Sequence, residues 1–289
     1  MVPRQRLELV IPNRARTLAG HRIARVLPFS KRRAVGPFVF LDHFGPIEVP
    51  PGQRMDVLPH PHIGLSTLTY LFAGESVHRD SLGHVQTIRP GEVNWMTAGR
   101  GIVHSERSPV PASGGLSHGL QFWVALPKKD EQGPPSFQHY PAEGLPIHQG
   151  PGVRVKVVAG QAFGLHSPVQ VSSPLIFLEL NLDDQAELAV PDEAEERALY
   201  ILNGTLDTAD GPYGPGQLLV LPAGPGSVQA KGPTHLVLFG GAPLDGPRHL
   251  DWNFVASDPA LLEAAKQAWR EDLFPKIPGD DQERVPLPE

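Results

Sequence analysis

Cysteine is absent from this chain of 289 residues, and methionine, tryptophan and tyrosine are rare. Without thiols the protein can form neither disulfides nor thiolate sites, so any metal site must use nitrogen and oxygen donors. No apolar run approaches the ~20 residues that cross a bilayer, so no contact with a membrane is expected. The first 19 residues lack a continuous apolar core, so we expect no secretory signal and a cytoplasmic protein.

Acidic residues are scarce near the N-terminus, where residues 1–33 contain nine Lys or Arg and one acid, Glu8. Such a stretch can indicate nucleic-acid contact. However, its arginines alternate with apolar residues such as Leu7, Leu9 and Ile11, which is typical of strands with one solvated face. Because the net charge of the whole chain is −6, we expect no direct binding to nucleic acid.

Proline and glycine are abundant, with 33 and 30 residues, and they divide the chain into short segments. Many of these segments are rich in β-branched and aromatic residues, including His60–Phe72, Val77–Asp80, Val85–Ile88 and Val93–Met96. Short strands separated by Gly/Pro turns are typical of an all-β sandwich or barrel. Near the C-terminus, Asp258–Leu273 has apolar residues at helical spacing, with Asp258 or Ser257 as a cap and Pro259 in the first turn.

Two short motifs, His60-Pro61-His62 and His104-Ser105-Glu106, contain the candidate metal ligands. Each places two donors with one residue between them, and alternate residues of a strand point to the same face. If the two strands are neighbours, His60, His62, His104 and Glu106 converge on one point. The pair His78-Arg79-Asp80 has no second pair to support it, so we expect His78 to be structural.

Three imidazoles and a carboxylate suit several divalent ions. Zinc would close such a site as a structural one, whereas iron, nickel, cobalt or manganese would leave positions open for water, substrate or dioxygen. Glu106 has a second possible role, because a carboxylate beside a metal can accept the proton of an incoming hydroxyl as a general base.

Longer motifs resemble the pirin family of the cupin superfamily. They are FLDHFGP at 40–46, PHPHIGLSTLTYLFAGESVHRDSLG at 59–83, NWMTAGRGIVHSER at 94–107 and GLQFWVALP at 119–127. The resemblance extends over essentially the whole chain. In that family the metal ligands occupy the positions of His60, His62, His104 and Glu106.

The resemblance implies a bicupin, with two jelly-roll-like β-barrels packed together and a short C-terminal helix. We expect a metal-binding barrel over residues 1–135, and over residues 136–289 a second barrel without a metal site, followed by the helix and tail. Two barrels in one chain favour a monomer. One divalent metal ion is expected, Fe(II) first, with Ni, Co, Mn and Zn as alternatives.

The resemblance also implies two functions. The first is a quercetin 2,3-dioxygenase-like oxidoreductase, in which a metal-bound flavonol reacts with O2, Glu106 is the general base and the heterocycle opens. The second is an iron- or redox-dependent binding module that regulates through protein partners. Further residues at the site remain open: Ser66 and Leu68 share the alternation of the histidines and are candidates to face the substrate. Asp42 and Gln121 could contact the ligands or the substrate, or only form structural hydrogen bonds.

Overall fold

The computed structural model describes residues 2–18, 20–109 and 114–288, which are mainly strands with one α-helix. This confirms the all-β expectation. The strands of the first part of the chain are β1 (Leu9–Pro12), β2 (Arg14–Leu18), β3 (His21–Leu27), β4 (Phe38–Val49), β5 (Val57–His62), β6 (Leu65–Ala73), β7 (Ser76–Asp80), β8 (Val85–Ile88), β9 (Val93–Thr97), β10 (Ile102–Arg107), β11 (Gly115–Ala125) and β12 (Ser136–Tyr140).

A 3-10 helix at Ala142–Gly144 precedes the later strands. These are β13 (Ile147–Gly150), β14 (Val153–Ala159), β15 (Gln161–Ala162), β16 (Leu165–His166), β17 (Leu175–Leu182), β18 (Glu187–Val190), β19 (Glu196–Asn203), β20 (Leu206–Thr208), β21 (Gly211–Tyr213), β22 (Gln217–Leu221), β23 (Gly226–Ala230), β24 (Thr234–Gly241), β25 (His249–Asp251) and β26 (Phe254–Ala256). The helix α1 spans Pro259–Arg270. No helix among the described residues is long and apolar enough to span a membrane.

The chain divides into two compact units, each built from separate segments. One, here called the histidine unit, contains Ala15–Ile23, Leu41–Ala142 and Leu244–Glu289. The second unit contains Met1–Arg14, Ala24–Phe40 and Glu143–Pro243. By contacts, therefore, both units draw on early and late parts of the chain, and α1 belongs to the histidine unit. A domain boundary between residues 135 and 136 stays a prediction.

The histidine unit is built on two sheets. One has the strand order β5-β10-β7-β8, and the other contains β12-β9-β6-β11 and continues through β4, β3 and β2. Side chains of the two sheets meet, because Thr69 on β6 hydrogen-bonds Glu106 on β10. Both sheets end in edge strands among the described residues, so this is a cupin-like sandwich and not a closed barrel.

The predicted continuous strand His60–Phe72 is wrong, because it is interrupted in the structure. β5 ends at His62 and β6 begins at Leu65 in the other sheet. Gly64 causes the break: its φ is +67°, a left-handed conformation that glycine adopts without steric cost. A Cβ at this position would lie 1.9 Å from the carbonyl oxygen of Val255. The alternation of side chains is therefore reset between the two strands.

The C-terminal helix packs mainly on β25 and β26 and reaches the region of the histidine strands through two apolar clusters. Asp258, one of the two predicted caps, caps α1 by accepting a hydrogen bond from the backbone N–H of Ala260. The apolar stripe of the helix is buried. Leu262 joins a cluster with Ile63, and Trp269 joins another with Val103 of β10. The stripe is thus a packing surface, as expected.

The second unit repeats the architecture of two sheets, with strand orders β1-β22-β19-β24-β17-β14-β13 and β18-β23-β20-β21. Alternate residues of its long strands point into one apolar core, as strand periodicity requires. This core includes Val155, Leu178, Leu180, Leu199 and Leu238.

Candidate metal centre

The two histidine motifs lie on neighbouring antiparallel strands, β5 and β10, and His60 lies directly opposite His104. The register shifts between His104 and Glu106, because Glu106 lies opposite Val57. β5 therefore carries an extra residue in this stretch, which includes Pro59. Such bulges re-aim neighbouring side chains. The strand pairing on which the sequence prediction depended is present.

His60, His62 and His104 form a buried group that could hold a metal ion. Each offers one ligand atom, and these atoms lie within 4.8 Å of one another. The exposed fractions of the three residues are 8%, 1% and 2%. The ring centroids of His60 and His104 are 4.3 Å apart, and those of His62 and His104 are 5.0 Å apart.

Backbone carbonyls orient two of the rings. Nδ1 of His60 lies 2.8 Å from the carbonyl oxygen of Leu58, and Nδ1 of His62 lies 2.8 Å from that of Asn253. Since a carbonyl oxygen can only accept, each Nδ1 carries the proton and each Nε2 keeps its lone pair. Such partners fix the tautomer and orientation of metal-binding histidines. Asn253 lies between β25 and β26, so a distant part of the sequence orients His62.

Burial keeps the imidazoles neutral. It lowers the pKa of His60 to about 4. The hydrogen bond to the Leu58 carbonyl opposes this lowering, and the nearby His78 adds to it. Burial, followed by the charge that neighbouring histidines would carry, also holds the pKa of His62 and of His104 well below the usual range. Metal ions require unprotonated ligands, and these rings are unprotonated at neutral pH.

The contact between His62 and His104 fits a shared cation. Their Nε2 atoms are 3.1 Å apart, and Nδ1 of His104 is buried without a hydrogen-bond partner among the described residues. If Nδ1 of His104 carries its proton, two Nε2 lone pairs face each other, and a cation between them removes the repulsion. Two nitrogen ligands ~2.1 Å from one ion and at right angles to each other are ~3.0 Å apart. The donor set thus fits a divalent metal ion.

Glu106 follows on β10 and is partly buried. Burial raises the pKa of its carboxyl group, while the nearby His78 and the Thr69 hydrogen bond oppose this. The Thr69 hydroxyl lies 3.1 Å from Oε1 of Glu106. The group of three histidines does not include the Glu106 carboxylate, so the role of Glu106 as a fourth ligand stays a prediction.

His78, which was predicted to be structural, lies close to the group of three histidines. It is opposite Glu106 in the pairing of β7 with β10, and its ring centroid is 5.3 Å from that of His104. Phe137 stacks on His78 at 4.3 Å, and Asp80 lies 3.1 Å from Nε2 of His78. Burial opposes ionisation of Asp80, but hydrogen bonds from His78 and His84 outweigh it and lower the pKa of Asp80. These contacts fit the structural role that was expected.

The other face of β10 is fixed by the C-terminal tail. The Ser105 hydroxyl donates to Oδ2 of Asp280 at 2.6 Å, and Arg107 donates to both carboxylate oxygens of Asp280, at 2.6 and 3.1 Å. The Arg107 hydrogen bonds hold the pKa of Asp280 below its usual range. Since Ser105 and Arg107 flank Glu106, this clamp positions the strand that carries His104 and Glu106.

The reset at Gly64 also changes which residues of β6 face the site. Ser66 bonds the hydroxyl of Thr97, whereas Thr69, of the opposite alternation, reaches Glu106. The expectation that Ser66 and Leu68 face the site is therefore wrong. On β11, Gln121 lies opposite Thr69, and Trp123 lies opposite Thr67.

These β11 residues reach the site itself. The ring centroid of Trp123 is 5.2 Å from that of His62, and Gln121 hydrogen-bonds Thr69. Asp42 is buried on β4. The alternation of side chains along β11 predicts that Gln121 and Trp123 share one face of the strand. Only the fold shows that this face meets the histidines.

Comparison with known proteins gives a consistent result. Residues 20–124 match the family model Pirin, and residues 177–275 match the Pirin C-terminal cupin domain. A pirin-like protein of Caulobacter vibrioides is 45% identical over 98% of this chain and 100% of its own. A crystal structure of quercetin 2,3-dioxygenase from Acinetobacter baumannii superposes with a TM-score of 0.91 at 35% identity, covering 97% of this chain and 95% of that one.

A more distant structure, a bacterial pirin from Escherichia coli in complex with nickel(II), has a TM-score of 0.65 at 17% identity, covering 82% of this chain and 99% of that one. At this identity the match supports the fold alone. The two family models, the long alignment at high identity and the paired cupin-like sheets agree. The chain belongs to the pirin family of cupin proteins.

Proposed function

We propose that this protein is a metal-dependent dioxygenase that opens the heterocycle of a flavonol such as quercetin. His60, His62 and His104, with Glu106 as the fourth donor, would hold one divalent ion, with Fe(II) expected first. The observation that carries the proposal is the buried group of three neutral imidazoles, with Glu106 two residues after His104 on the same strand. The similarity to a quercetin 2,3-dioxygenase supports the substrate class.

A divalent ion at this centre would supply Lewis acidity and open positions for small ligands. The histidines contribute neutral donors that are already oriented, two of them by backbone carbonyls. Because only part of the ionic charge is then cancelled, a substrate oxygen can approach as an anion. The buried side chains of Trp123 and Met96 help to keep this region of the histidine unit apolar.

Glu106 is the proposed general base. Burial raises the pKa of its carboxyl group, and a raised pKa makes the ionised form a stronger proton acceptor. The proton taken is that of the flavonol hydroxyl next to the carbonyl group. In the overall reaction one flavonol and one O2 yield a ring-opened ester and carbon monoxide, so no external reductant is needed.

The test is metal analysis of anaerobically purified protein, then oxygen uptake with quercetin after reconstitution with Fe(II), Ni, Co, Mn or Zn. We expect turnover with at least one ion and loss of turnover in Glu106→Gln and His62→Ala. His166→Ala, which changes an exposed histidine of the second unit, is the control. Stoichiometric metal without oxygen uptake under any reconstitution would refute the dioxygenase and favour the metal-dependent binding module. A cytoplasmic location and a monomeric state stay predictions.

A further inference from the structure

One buried hydroxyl has two acceptors within reach. Oγ1 of Thr69 lies 3.1 Å from Oε1 of Glu106 and 3.0 Å from Oε1 of Gln121. A threonine hydroxyl has one proton, so it cannot donate to both oxygens. At the same time, Nε2 of Gln121 is buried and has no hydrogen-bond partner among the described residues.

The competition for the Thr69 proton disappears if the amide of Gln121 is rotated by half a turn, which exchanges its oxygen and nitrogen. The oxygen and nitrogen of a glutamine amide are distinguished by their hydrogen bonds, not by their shape. In the rotated form the amide N–H donates to Thr69, and the Thr69 proton goes to Glu106. The result is a directed chain from Gln121 through Thr69 to the carboxylate, in which each bond strengthens the next.

We propose that Thr69 and Gln121 are positioning residues that hold the Glu106 carboxylate in place for its proposed roles as metal ligand and general base. Thr69 is the one hydrogen-bond donor to this carboxylate among the described residues. By binding Oε1, it limits rotation of the carboxyl group and directs Oε2 away from Thr69. Gln121 acts only through Thr69, since it fixes which way the hydroxyl points. This inference rests on the proposed role of Glu106 as ligand and base.

The fold makes this chain of hydrogen bonds rigid. Thr69 and Gln121 are direct cross-strand neighbours in the pairing of β6 with β11. Thr69 is buried, and its β-branched side chain has few rotamers available. A carboxylate that is held in this way loses less freedom when it binds a metal.

The experiment compares Thr69→Val, which keeps the shape and removes the hydroxyl, with Thr69→Ser, which keeps the hydroxyl. Gln121→Met and the double variant complete a cycle. Ser66→Ala is the control, because Ser66 lies on β6 with Thr69 but bonds Thr97 of β9. The readouts are the affinity for Co(II), its visible absorption spectrum, kcat and KM with quercetin, and the melting temperature of the metal-free protein.

We expect Thr69→Val to weaken Co(II) binding by roughly 10-fold, as is usual for residues that orient metal ligands. It should change the Co(II) spectrum and lower kcat with little change in KM. Thr69→Ser should restore most of the affinity, and Ser66→Ala should leave it unchanged. Gln121→Met should weaken binding in the wild-type background and have no further effect in Thr69→Val, because residues that act through one chain are not additive.

Wild-type Co(II) affinity in Thr69→Val, or additive effects of the two substitutions, would overturn the inference. A lower melting temperature of the metal-free protein with unchanged Co(II) affinity and spectrum would also overturn it, since the role would then be structural. Failure of the proposed dioxygenase looks different. Oxygen uptake would then be absent in the wild type, while the Co(II) affinities of the variants still follow the expected order.

Discussion

Acid should destabilise the metal-free protein through its buried imidazoles. In the unfolded chain a histidine has a pKa near ~6.5, whereas burial lowers the pKa of His60 to about 4. Between these values the unfolded chain binds more protons than the folded protein. Stability is therefore complete above the unfolded pKa and falls as the pH drops through this window.

The size of the effect follows from the two pKa values. Between about pH 7.5 and about pH 5, the linkage relation gives a loss of about 2 kcal/mol from His60 alone. The pKa values of His62 and His104 are lowered in the same direction. A single buried side chain would thus remove a sizeable part of the ~5–15 kcal/mol that stabilises a typical domain.

The assay is urea unfolding of chelator-treated protein at several values across this pH range, with His60→Gln as the test variant. Glutamine cannot titrate, so the pH dependence of its unfolding free energy should be shallower by about 2 kcal/mol over the range. His166→Gln, at an exposed position, is the matched control and should keep the wild-type pH dependence. Equal pH dependence in His60→Gln and the wild type would refute the reasoning.

Three further predictions concern the same unit. A bound divalent ion at ~100 times its Kd should add ~2.7 kcal/mol to the unfolding free energy, and His104→Ala should abolish the gain in a melting assay. Asp280→Asn should cost ~1–3 kcal/mol in urea unfolding, because it weakens charge-assisted bonds from Ser105 and Arg107. An unchanged midpoint would contradict the clamp. Gly64→Ala should destabilise by more than ~1 kcal/mol, since its φ is +67° and its Cβ would meet a backbone oxygen of β26. A free energy of unfolding equal to that of the wild type would disprove the close approach of Gly64 to Val255.

Local sequence patterns predicted much of the secondary structure. Gly/Pro turns and period-2 runs predicted β7, β8 and β9 closely, and an Asp cap followed by proline predicted the start of α1. These features depend on neighbours in sequence, so they can be predicted without knowledge of the tertiary structure. The break at Gly64 could not be predicted in this way, because an isolated glycine within a β-branched run can also belong to a continuous strand.

The sequence by itself determined the all-β class, the C-terminal helix and the pairs of donors, since alternation along a strand fixes which residues share a face. Only the tertiary structure decided what surrounds them. Asn253 orients His62, Asp280 holds the back of β10, and Thr69 with Gln121 reaches Glu106. These partners come from segments far apart in the chain. Their meeting depends on strand order and register, which no local pattern encodes.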